Sequence, residues 1–273
     1  MDAATPLLAG RTAVVTGAGA GIGAGIALGF AAFGARVAIL EVDAETGERT
    51  ATAVRARGVD ALAVATDVRD REAVARAVAT VSERLGAIDV LVNNVGGTFA
   101  APFVETTEKG WDALVRMNLK TVLHATQAVA PGMVERGRGS IINVVSIEAE
   151  RAAPGYAVYA ACKAAVVSFT RSMALEVGAH GVRVNALAPD ICLTEGLERL
   201  VSGTDQARWP SIVPLGRPGV PADVAGAAIF LASDLAAYVT GVTLPVDGGT
   251  HAAAGWYRAD GDWTIGPPRI QSR

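Results

Sequence analysis

Tyr159 and Lys163 are the two residues whose types and spacing best suit proton transfer in this chain of 273 residues. Residues four apart on a helix lie on one face, one turn from each other. A free tyrosine has a pKa near ~10 and is a poor base at neutral pH, and an adjacent ammonium group lowers that pKa by stabilising the phenolate. The sequence has three lysines against twenty-one arginines, which makes this lysine noteworthy. Taken alone, the pair is more typical of an ordinary helix face.

Two further polar residues accompany this pair. Ser146 ends an apolar run, where its hydroxyl would donate to a substrate oxygen, and Asn118 lies in a helical stretch, where asparagine is not favoured. Each has a structural alternative, Ser146 as the cap of a helix or turn and Asn118 as a satisfied buried amide. Together with Tyr159 and Lys163, in this order, they favour a catalytic constellation over the two structural alternatives.

A glycine-rich segment, Thr16–Gly23, follows the first apolar run. It matches T-G-x-x-x-G-x-G through Gly17, Gly21 and Gly23, and Ile22 lies inside it; the spacing G-x-G-x-x-G is not met. Glycines there permit positive φ and a close approach of backbone to a pyrophosphate, and the helix that follows supplies free N–H groups. The segment therefore predicts a dinucleotide site, with a merely structural turn as the alternative.

Glu41 ends the second apolar run, twenty-four residues after Gly17. A carboxylate at this place accepts both ribose hydroxyls of NAD and repels the 2′-phosphate of NADP. Arg and Lys are absent from Thr12 to Ala35, and Val42 follows Glu41. We therefore predict NAD as the cofactor; a solvated carboxylate that caps the helix beginning near Asp43 is the alternative.

Apolar runs alternate with stretches of helical period along most of the chain. Strands that are apolar on both faces and separated by helices require a parallel sheet covered on both sides. Right-handed crossovers then wind it into an open α/β sheet with a crevice at the carboxyl ends of its strands. We predict helices such as Asp70–Leu85 and Tyr156–Val177, and strands at Thr12–Thr16, Val37–Leu40, Ala61–Ala65, Ile88–Val92, Ser140–Val145, Val182–Leu187 and Thr243–Val246.

The C-terminal end departs from this alternation. We interpret residues 1–249 as one domain and 250–273 as an aromatic extension without periodicity. Large aromatic side chains usually cover a surface, so we expect the extension to pack over a neighbouring subunit or the mouth of the substrate pocket, a disordered tail being the alternative. We also expect an apolar lid between Asp190 and Arg217, formed by Leu193, Leu197, Leu200 and Trp209.

Composition excludes several classes of function. A net charge of −3 gives no electrostatic footprint for nucleic acid or anionic membranes. The uncharged stretch Thr12–Ala35 is better explained by a strand, a glycine turn and a buried helix than by a membrane span, because glycines interrupt it. Met1–Thr12 lacks the pattern of a signal peptide, which favours the cytoplasm. No metal site is expected, since the spacing of Cys162, Cys192 and the three histidines fits none.

From residue 8 to 250 the chain resembles the short-chain dehydrogenase/reductase family. The likeness rests on a set of motifs that is specific when taken together. It comprises Thr16–Gly23, Asp67-Val68, Asn93–Gly96, Asn118, Ser146, Tyr159 with Lys163, Arg183-Val184-Asn185-Ala186, Pro189 and Val246–Gly249. One residue departs from the pattern, because Asp190 stands where family members usually have glycine after the proline, and it adds bulk and charge beside the nicotinamide.

The resemblance implies a single-domain Rossmann-like fold, a homotetramer and a set of residue roles. Asp67 would meet the adenine amino group and Val68 the adenine ring. Asn94 and Gly96 would line the cofactor, and Pro189 and Thr194 would hold its nicotinamide end. The resemblance also implies a catalytic tetrad of Asn118, Ser146, Tyr159 and Lys163.

The function expected on these grounds is reversible oxidation of a secondary alcohol to a ketone with NAD. Asn93–Thr98 and Tyr238–Pro245 resemble the corresponding segments of dehydrogenases of cyclic alcohols and dihydrodiols, which implies that substrate class. A 3-oxoacyl thioester reductase of the same family is an alternative. From another class, an NAD-binding regulatory protein without turnover remains open, although a sensor has no need of Tyr159 and Lys163 together.

Overall fold

The computed structural model describes residues 6–196, 208–259 and 261–265. Its main feature is one parallel sheet of seven strands in the order β3-β2-β1-β4-β5-β6-β7. The predicted parallel α/β sheet is therefore confirmed. The strands are β1 Thr12–Thr16, β2 Arg36–Glu41, β3 Ala61–Ala65, β4 Val90–Asn93, β5 Gly139–Val144, β6 Val182–Pro189 and β7 Thr243–Val246.

Seven longer helices connect or follow these strands within the described residues. They are α1 Gly21–Ala32, α2 Ala44–Arg55, α3 Arg71–Leu85, α4 Glu108–Val115, α5 Thr121–Arg136, α6 Ala157–Gly178 and α7 Pro221–Ala232. Carboxylates cap two of them, since Asp43 and Asp70 each accept backbone N–H groups from the first turn of α2 and α3. At the start of α1 the N-cap is Ala20, whose methyl side chain accepts no hydrogen bond.

Apolar layers cover both faces of the sheet. On one face, α1 and α7 pack so closely that a Cβ on Gly25 would lie 2.5 Å from Pro221 Cβ. On the other face, α3, α5 and α6 bury Val81, Val129 and Val177. The uncharged stretch Thr12–Ala35 forms β1, the glycine turn and α1, as predicted. Within the described part of the chain, every helix is too short or too polar to traverse a bilayer.

The strand order reverses between β1 and β4. From β1 the sheet continues through β2 and β3 in one direction, and from β4 it continues through β5 to β7 in the other. Loops that leave the carboxyl ends of β1 and β4 therefore diverge to opposite faces and open a crevice between them. This crevice is where the sequence places the glycine turn and Asn94.

The C-terminal extension contains regular structure that the sequence pattern did not predict. After the single helical turn Thr250–Ala253, β8 Trp256–Ala259 and β9 Asp262–Ile265 pair as an antiparallel hairpin. β8 packs beside the short helix Trp209–Ile212, while Trp256 and Trp263 stay about half exposed. Arg258 lies over the Trp263 ring, 5.8 Å from its centroid.

The predicted apolar lid is described in part. Trp209 is buried and Leu193 is partly buried, whereas Leu197 and Leu200 lie outside the described residues.

Candidate active site

A cavity of about 610 Å³ opens at the carboxyl ends of β1, β2, β4 and β5. The structure brings most of the predicted site residues together around it. Those that line it are Gly17, Gly21, Ile22, Glu41, Asp67, Val68, Asn94, Gly96, Tyr159, Lys163 and Thr194. Gly23, Asn118, Ser146 and Pro189 are not part of this lining and lie behind or beside it.

The glycine turn is shaped by close backbone packing. Gly17 and Gly21 adopt φ of 62° and 56°, which side-chain-bearing residues rarely adopt. A Cβ on Gly23 would lie 2.4 Å from the carbonyl oxygen of Gly17, and one on Gly19 would lie 2.9 Å from a carboxylate oxygen of Glu41. Gly17 and Gly21 therefore leave a bare backbone surface on the cavity wall. Gly19 is also required by the packing of the turn, although the pattern T-G-x-x-x-G-x-G does not specify a glycine at that position.

Asn94 fastens this turn to the end of β4. Its side-chain amide donates to the carbonyl oxygens of Thr16 and Gly17, each at 3.0 Å. The backbone N–H of Asn94 donates to Thr16 Oγ1 at 3.0 Å. The two loops that diverge at the reversal of strand order are thus held at a fixed separation.

Glu41 faces the same cavity from the end of β2. Its Oε2 accepts from the Gly19 N–H at 3.0 Å, and its Oε1 accepts from the Val42 N–H at 2.8 Å. The cap of α2 is Asp43, which accepts from the N–H groups of Glu45 and Thr46. The alternative interpretation of Glu41 as the helix cap is therefore wrong, because Asp43 occupies that position.

Arg69 is a cavity residue that the sequence reasoning missed. Its Nε and Nη2 donate to the two carboxylate oxygens of Asp67 at 2.8 and 2.7 Å. This guanidinium hydrogen bond holds the pKa of Asp67 below its usual range. Arg69 thus brings a positive charge to the side of the cavity that Glu41 lines, but Asp67 offsets it. An arginine two residues after a predicted adenine-binding aspartate was the available signal.

Tyr159 and Lys163 lie one turn apart on α6, as their spacing predicted. Lys163 Nζ is 5.7 Å from the centroid of the Tyr159 ring. The ammonium group is buried, donates to the Val144 carbonyl oxygen at 3.0 Å, and has its pKa lowered by burial to about 8. A Cβ on Gly96 would lie 3.1 Å from Lys163 Nζ, so the loop after β4 approaches the ammonium closely.

The pKa of Tyr159 is raised in this structure, whereas the sequence argument expected Lys163 to lower it. Burial of the phenol is the largest cause. A hydrogen bond with Ser146 lowers the pKa, and the negative charge of Glu148 raises it further. Burial thus outweighs the stabilisation of the phenolate in the cofactor-free protein.

Asn118 occupies a π-helical turn, Arg116–Lys120, between α4 and α5. Its buried amide accepts from the Gly97 N–H at 3.1 Å and donates to the carbonyl oxygens of Gly97 and Leu114 at 2.8 and 3.0 Å. Asn118 is therefore a buried amide with its hydrogen bonds satisfied, which is the structural alternative considered for it. It fixes the Gly96-Gly97 loop, which borders the cavity.

Ser146 follows the end of β5 and caps the short turn Ile147–Ala149, one of the alternatives considered for it. Its hydroxyl donates to the carboxylate of Glu148 and lies 3.4 Å from the Pro189 carbonyl oxygen. Pro189, the last residue of β6, thus contacts the serine through its backbone. Glu148 was missed by the sequence reasoning, although it stands two residues after Ser146.

A chain of charged groups continues from Glu148. Arg151 Nη2 lies 3.1 Å from a carboxylate oxygen of Glu148 and 3.3 Å from one of Asp190. The other oxygen of Asp190 accepts from the Thr250 hydroxyl at 2.6 Å. Burial raises the pKa of Asp190. The aspartate in the usual glycine position therefore ties the start of the C-terminal extension to the active-site rim.

The glycine turn, the strand reversal and the cavity between them are the architecture typical of dinucleotide-binding α/β proteins. The family model described as enoyl-(acyl carrier protein) reductase matches residues 17–251. Gluconate 5-dehydrogenase of Gluconobacter oxydans is 41% identical, with 89% of this chain and 95% of the relative covered. Sorbitol dehydrogenase of Cereibacter sphaeroides is 40% identical and the 3-oxoacyl-[acyl-carrier-protein] reductase of Thermotoga maritima 38%, each covering 89% of this chain and 98% of the relative.

Solved structures agree in fold. A gluconate 5-dehydrogenase from Burkholderia cenocepacia J2315, in complex with NADP and tartrate, superposes with a TM-score of 0.84 at 40% identity, over 90% of this chain and 97% of that one. A 7α-hydroxysteroid dehydrogenase complexed with NADH and 7-oxo glycochenodeoxycholic acid gives 0.86 at 33% identity, over 91% and 97%. The chain belongs to the short-chain dehydrogenase/reductase family, and its relatives are oxidoreductases.

Proposed function

We propose that this chain is an NAD-dependent dehydrogenase that reversibly oxidises a secondary alcohol to a ketone. The observation that carries the proposal is the position of Tyr159 and Lys163 on one face of α6, at the wall of a cavity that extends to the glycine turn. A regulatory protein that only bound a dinucleotide would not need these two groups together at the wall of the cavity.

The residues fit a dinucleotide on structural grounds. The bare backbone of Gly17 and Gly21 would meet the pyrophosphate beside Ile22, with Gly23 permitting their close packing. Glu41 would accept the adenosine ribose hydroxyls. By resemblance, Asp67 and Val68 would hold the adenine, Asn94 and Gly96 the middle of the cofactor, and Pro189 and Thr194 the nicotinamide end.

The proton steps are assigned to this chain's own side chains. Tyr159 removes the hydroxyl proton of the substrate, and Lys163 stabilises the phenolate and would hold the nicotinamide ribose. Ser146 steadies the substrate oxygen, and Asn118 supports a water of the proton relay. A bound oxidised nicotinamide would supply the acceptor for the hydride from the carbinol carbon, and its positive charge would offset the raised pKa of Tyr159.

Glu41 favours NAD over NADP. Its carboxylate lines the cavity beside the glycine turn, where a 2′-phosphate would meet a like charge. Arg69 lines the same cavity but is already paired with Asp67. The solved relatives contain both kinds of cofactor, NADH in one and NADP in another.

The substrate class is a separate part of the proposal. Several relatives are named for polyhydroxy compounds, namely gluconate, sorbitol and D-threitol, and one solved relative is named for a hydroxysteroid. We propose a polyol or a cyclic alcohol, with a dihydrodiol included in the cyclic group. Reduction of a 3-oxoacyl thioester is the second candidate, because relatives about 38% identical bear that name.

The decisive experiment measures NADH formation with a panel of polyols, cyclic alcohols, dihydrodiols and steroids, and NADH consumption with a 3-oxoacyl thioester. Tyr159→Phe should lose turnover on the active substrate and keep NAD binding by calorimetry, because only the proton-transferring hydroxyl is removed. Tyr238→Phe, which removes an exposed tyrosine hydroxyl, is the control. NAD binding without turnover on every substrate would favour the regulatory alternative, and an active Tyr159→Phe would require another base.

Assembly and location stay predictions. We propose a homotetramer in the cytoplasm, on the resemblance to the family. Light scattering of the purified chain measures the number of subunits.

A further inference from the structure

Glu148 is a charged residue that contacts Ser146 and that the proposed mechanism does not use. It lies in the turn directly after β5, and its carboxylate accepts the hydroxyl hydrogen of Ser146. A serine hydroxyl has a single hydrogen. Glu148 and the Tyr159 phenolate therefore compete for that hydrogen: a hydrogen bond donated by Ser146 to Tyr159 lowers the pKa of Tyr159, whereas a hydrogen held by Glu148 cannot be donated to the phenolate.

The charges around this contact come from several elements. Arg151, in the loop before α6, pairs with Glu148, and Asp190, at the end of β6, pairs with the same guanidinium. Asp247, after β7, acts on Asp190 electrostatically. On α6, Lys163 lies over the Tyr159 ring. The next acidic residue of the loop, Glu150, turns away from Ser146 toward Arg171 at 4.0 Å and His251 at 3.5 Å.

We propose that Glu148 is a positioning residue for the proton transfer: its carboxylate sets the direction of the Ser146 hydroxyl and places a negative charge beside the phenol of Tyr159. The inference rests on the proposed function for its consequence in turnover. Glu148 opposes ionisation of Tyr159 in two ways, because it withholds the serine hydrogen from the phenolate and because its own charge repels the phenolate. The second effect agrees with the raised pKa of Tyr159, of which the charge of Glu148 is one cause.

Two substitutions separate these effects. Glu148→Gln removes the charge and keeps an oxygen that accepts from Ser146, whereas Glu148→Met removes both. The acid dissociation constant of Tyr159 should therefore increase in Glu148→Gln by roughly two- to tenfold, which is the effect of removing one partly screened negative charge near the phenolate. It should increase further in Glu148→Met. Glu150→Gln is the matched control, since it removes the same charge two residues later and should leave the constant unchanged.

Titration of ¹³C-labelled tyrosine by NMR measures this constant without turnover. The Tyr159 resonance is the one that Tyr159→Phe lacks among the four tyrosines. In the dehydrogenase assay, the acid limb of the kcat/KM profile for alcohol oxidation should move to lower pH in the same order, with the KM for NAD unchanged. Either Glu148 variant, whichever folds, is sufficient for the comparison with Glu150→Gln.

The NMR titration decides the proposal. An unchanged Tyr159 titration in the Glu148 variants would overturn the inference, as would an equal change in Glu150→Gln. If the titration moves as expected but the chain oxidises no alcohol, the proposed function fails while the placement of Glu148 stands.

Discussion

Lys163→Met should make the cofactor-free protein more stable at pH 7 and inactive. The pKa of Lys163 is lowered from 10.5 to about 8 because the ammonium group is buried. Each pKa unit corresponds to about 1.4 kcal/mol, so holding the charge in this place opposes folding by about 3 kcal/mol. Methionine fills a similar volume but leaves the Val144 carbonyl oxygen without its donor, a loss of about 1 kcal/mol. The expected net gain in the free energy of unfolding is about 2 kcal/mol.

This gain should depend on pH with a defined sign. Below pH 8 the folded and unfolded states both hold the proton, and the folded wild type carries the full penalty. As the pH rises from about 8 toward 10.5, the unfolded state keeps the proton while the folded state releases it, so the wild type becomes more stable relative to the variant. The difference between the two proteins should therefore shrink over this interval.

Denaturant unfolding at pH 7 and at pH 10, without dinucleotide, measures both quantities. Lys109→Met removes an exposed lysine and should change the free energy of unfolding by less than about 0.5 kcal/mol. A Lys163→Met protein that is less stable than the wild type at pH 7 would refute the reasoning. A stability difference that stays constant between the two pH values would refute it as well.

Three other outcomes follow from the structure. In Glu41→Ala, the ratio of kcat/KM with NAD to that with NADP should fall about tenfold or more, and comparable efficiency with both cofactors in the wild type would contradict the role of Glu41. Gly23→Ala should lower the free energy of unfolding by about 2 kcal/mol and weaken NAD binding, because the added Cβ would lie 2.4 Å from the Gly17 carbonyl oxygen. Gly226→Ala is the control, since a Cβ at that position would meet open space. Truncation after Thr250 should change the subunit number by light scattering or the KM for substrate, and if neither changed, the expected packing role of the aromatic extension would be wrong.

The sheet could be predicted from sequence because its signals are local. Thr12–Thr16, Ala61–Ala65 and Thr243–Val246 were predicted with the bounds that the structure shows. β6 extends two residues further, to Pro189, because Ala188 and Pro189 pair with residues of β7 that lie far along the chain. The hairpin of the extension was missed, since two strands of four residues are too short for alternation to be recognised.

The candidate site was predictable where a motif has a fixed spacing. The glycine turn and the Tyr159–Lys163 pair needed nothing beyond the sequence. The contact of Arg151 with Asp190 joins residues 39 positions apart, and spacing gives no signal for such a pair. The direction of the change in the Tyr159 pKa was also missed, because burial of a side chain depends on the whole fold rather than on its neighbours in sequence.

The methyl side chain of Ala20 at the start of α1 has a consequence for the lifetime of the folded chain. The first N–H groups of a helix need partners, and here an anionic ligand rather than a side chain is suited to provide them. A ligand that binds only the folded state stabilises it, by about 2.7 kcal/mol at one hundred times its dissociation constant. Under the proposed function, the dinucleotide pool then acts as a folding ligand. Depletion of that pool would expose this chain to unfolding and proteolysis, so its abundance would follow the concentration of the dinucleotide around it.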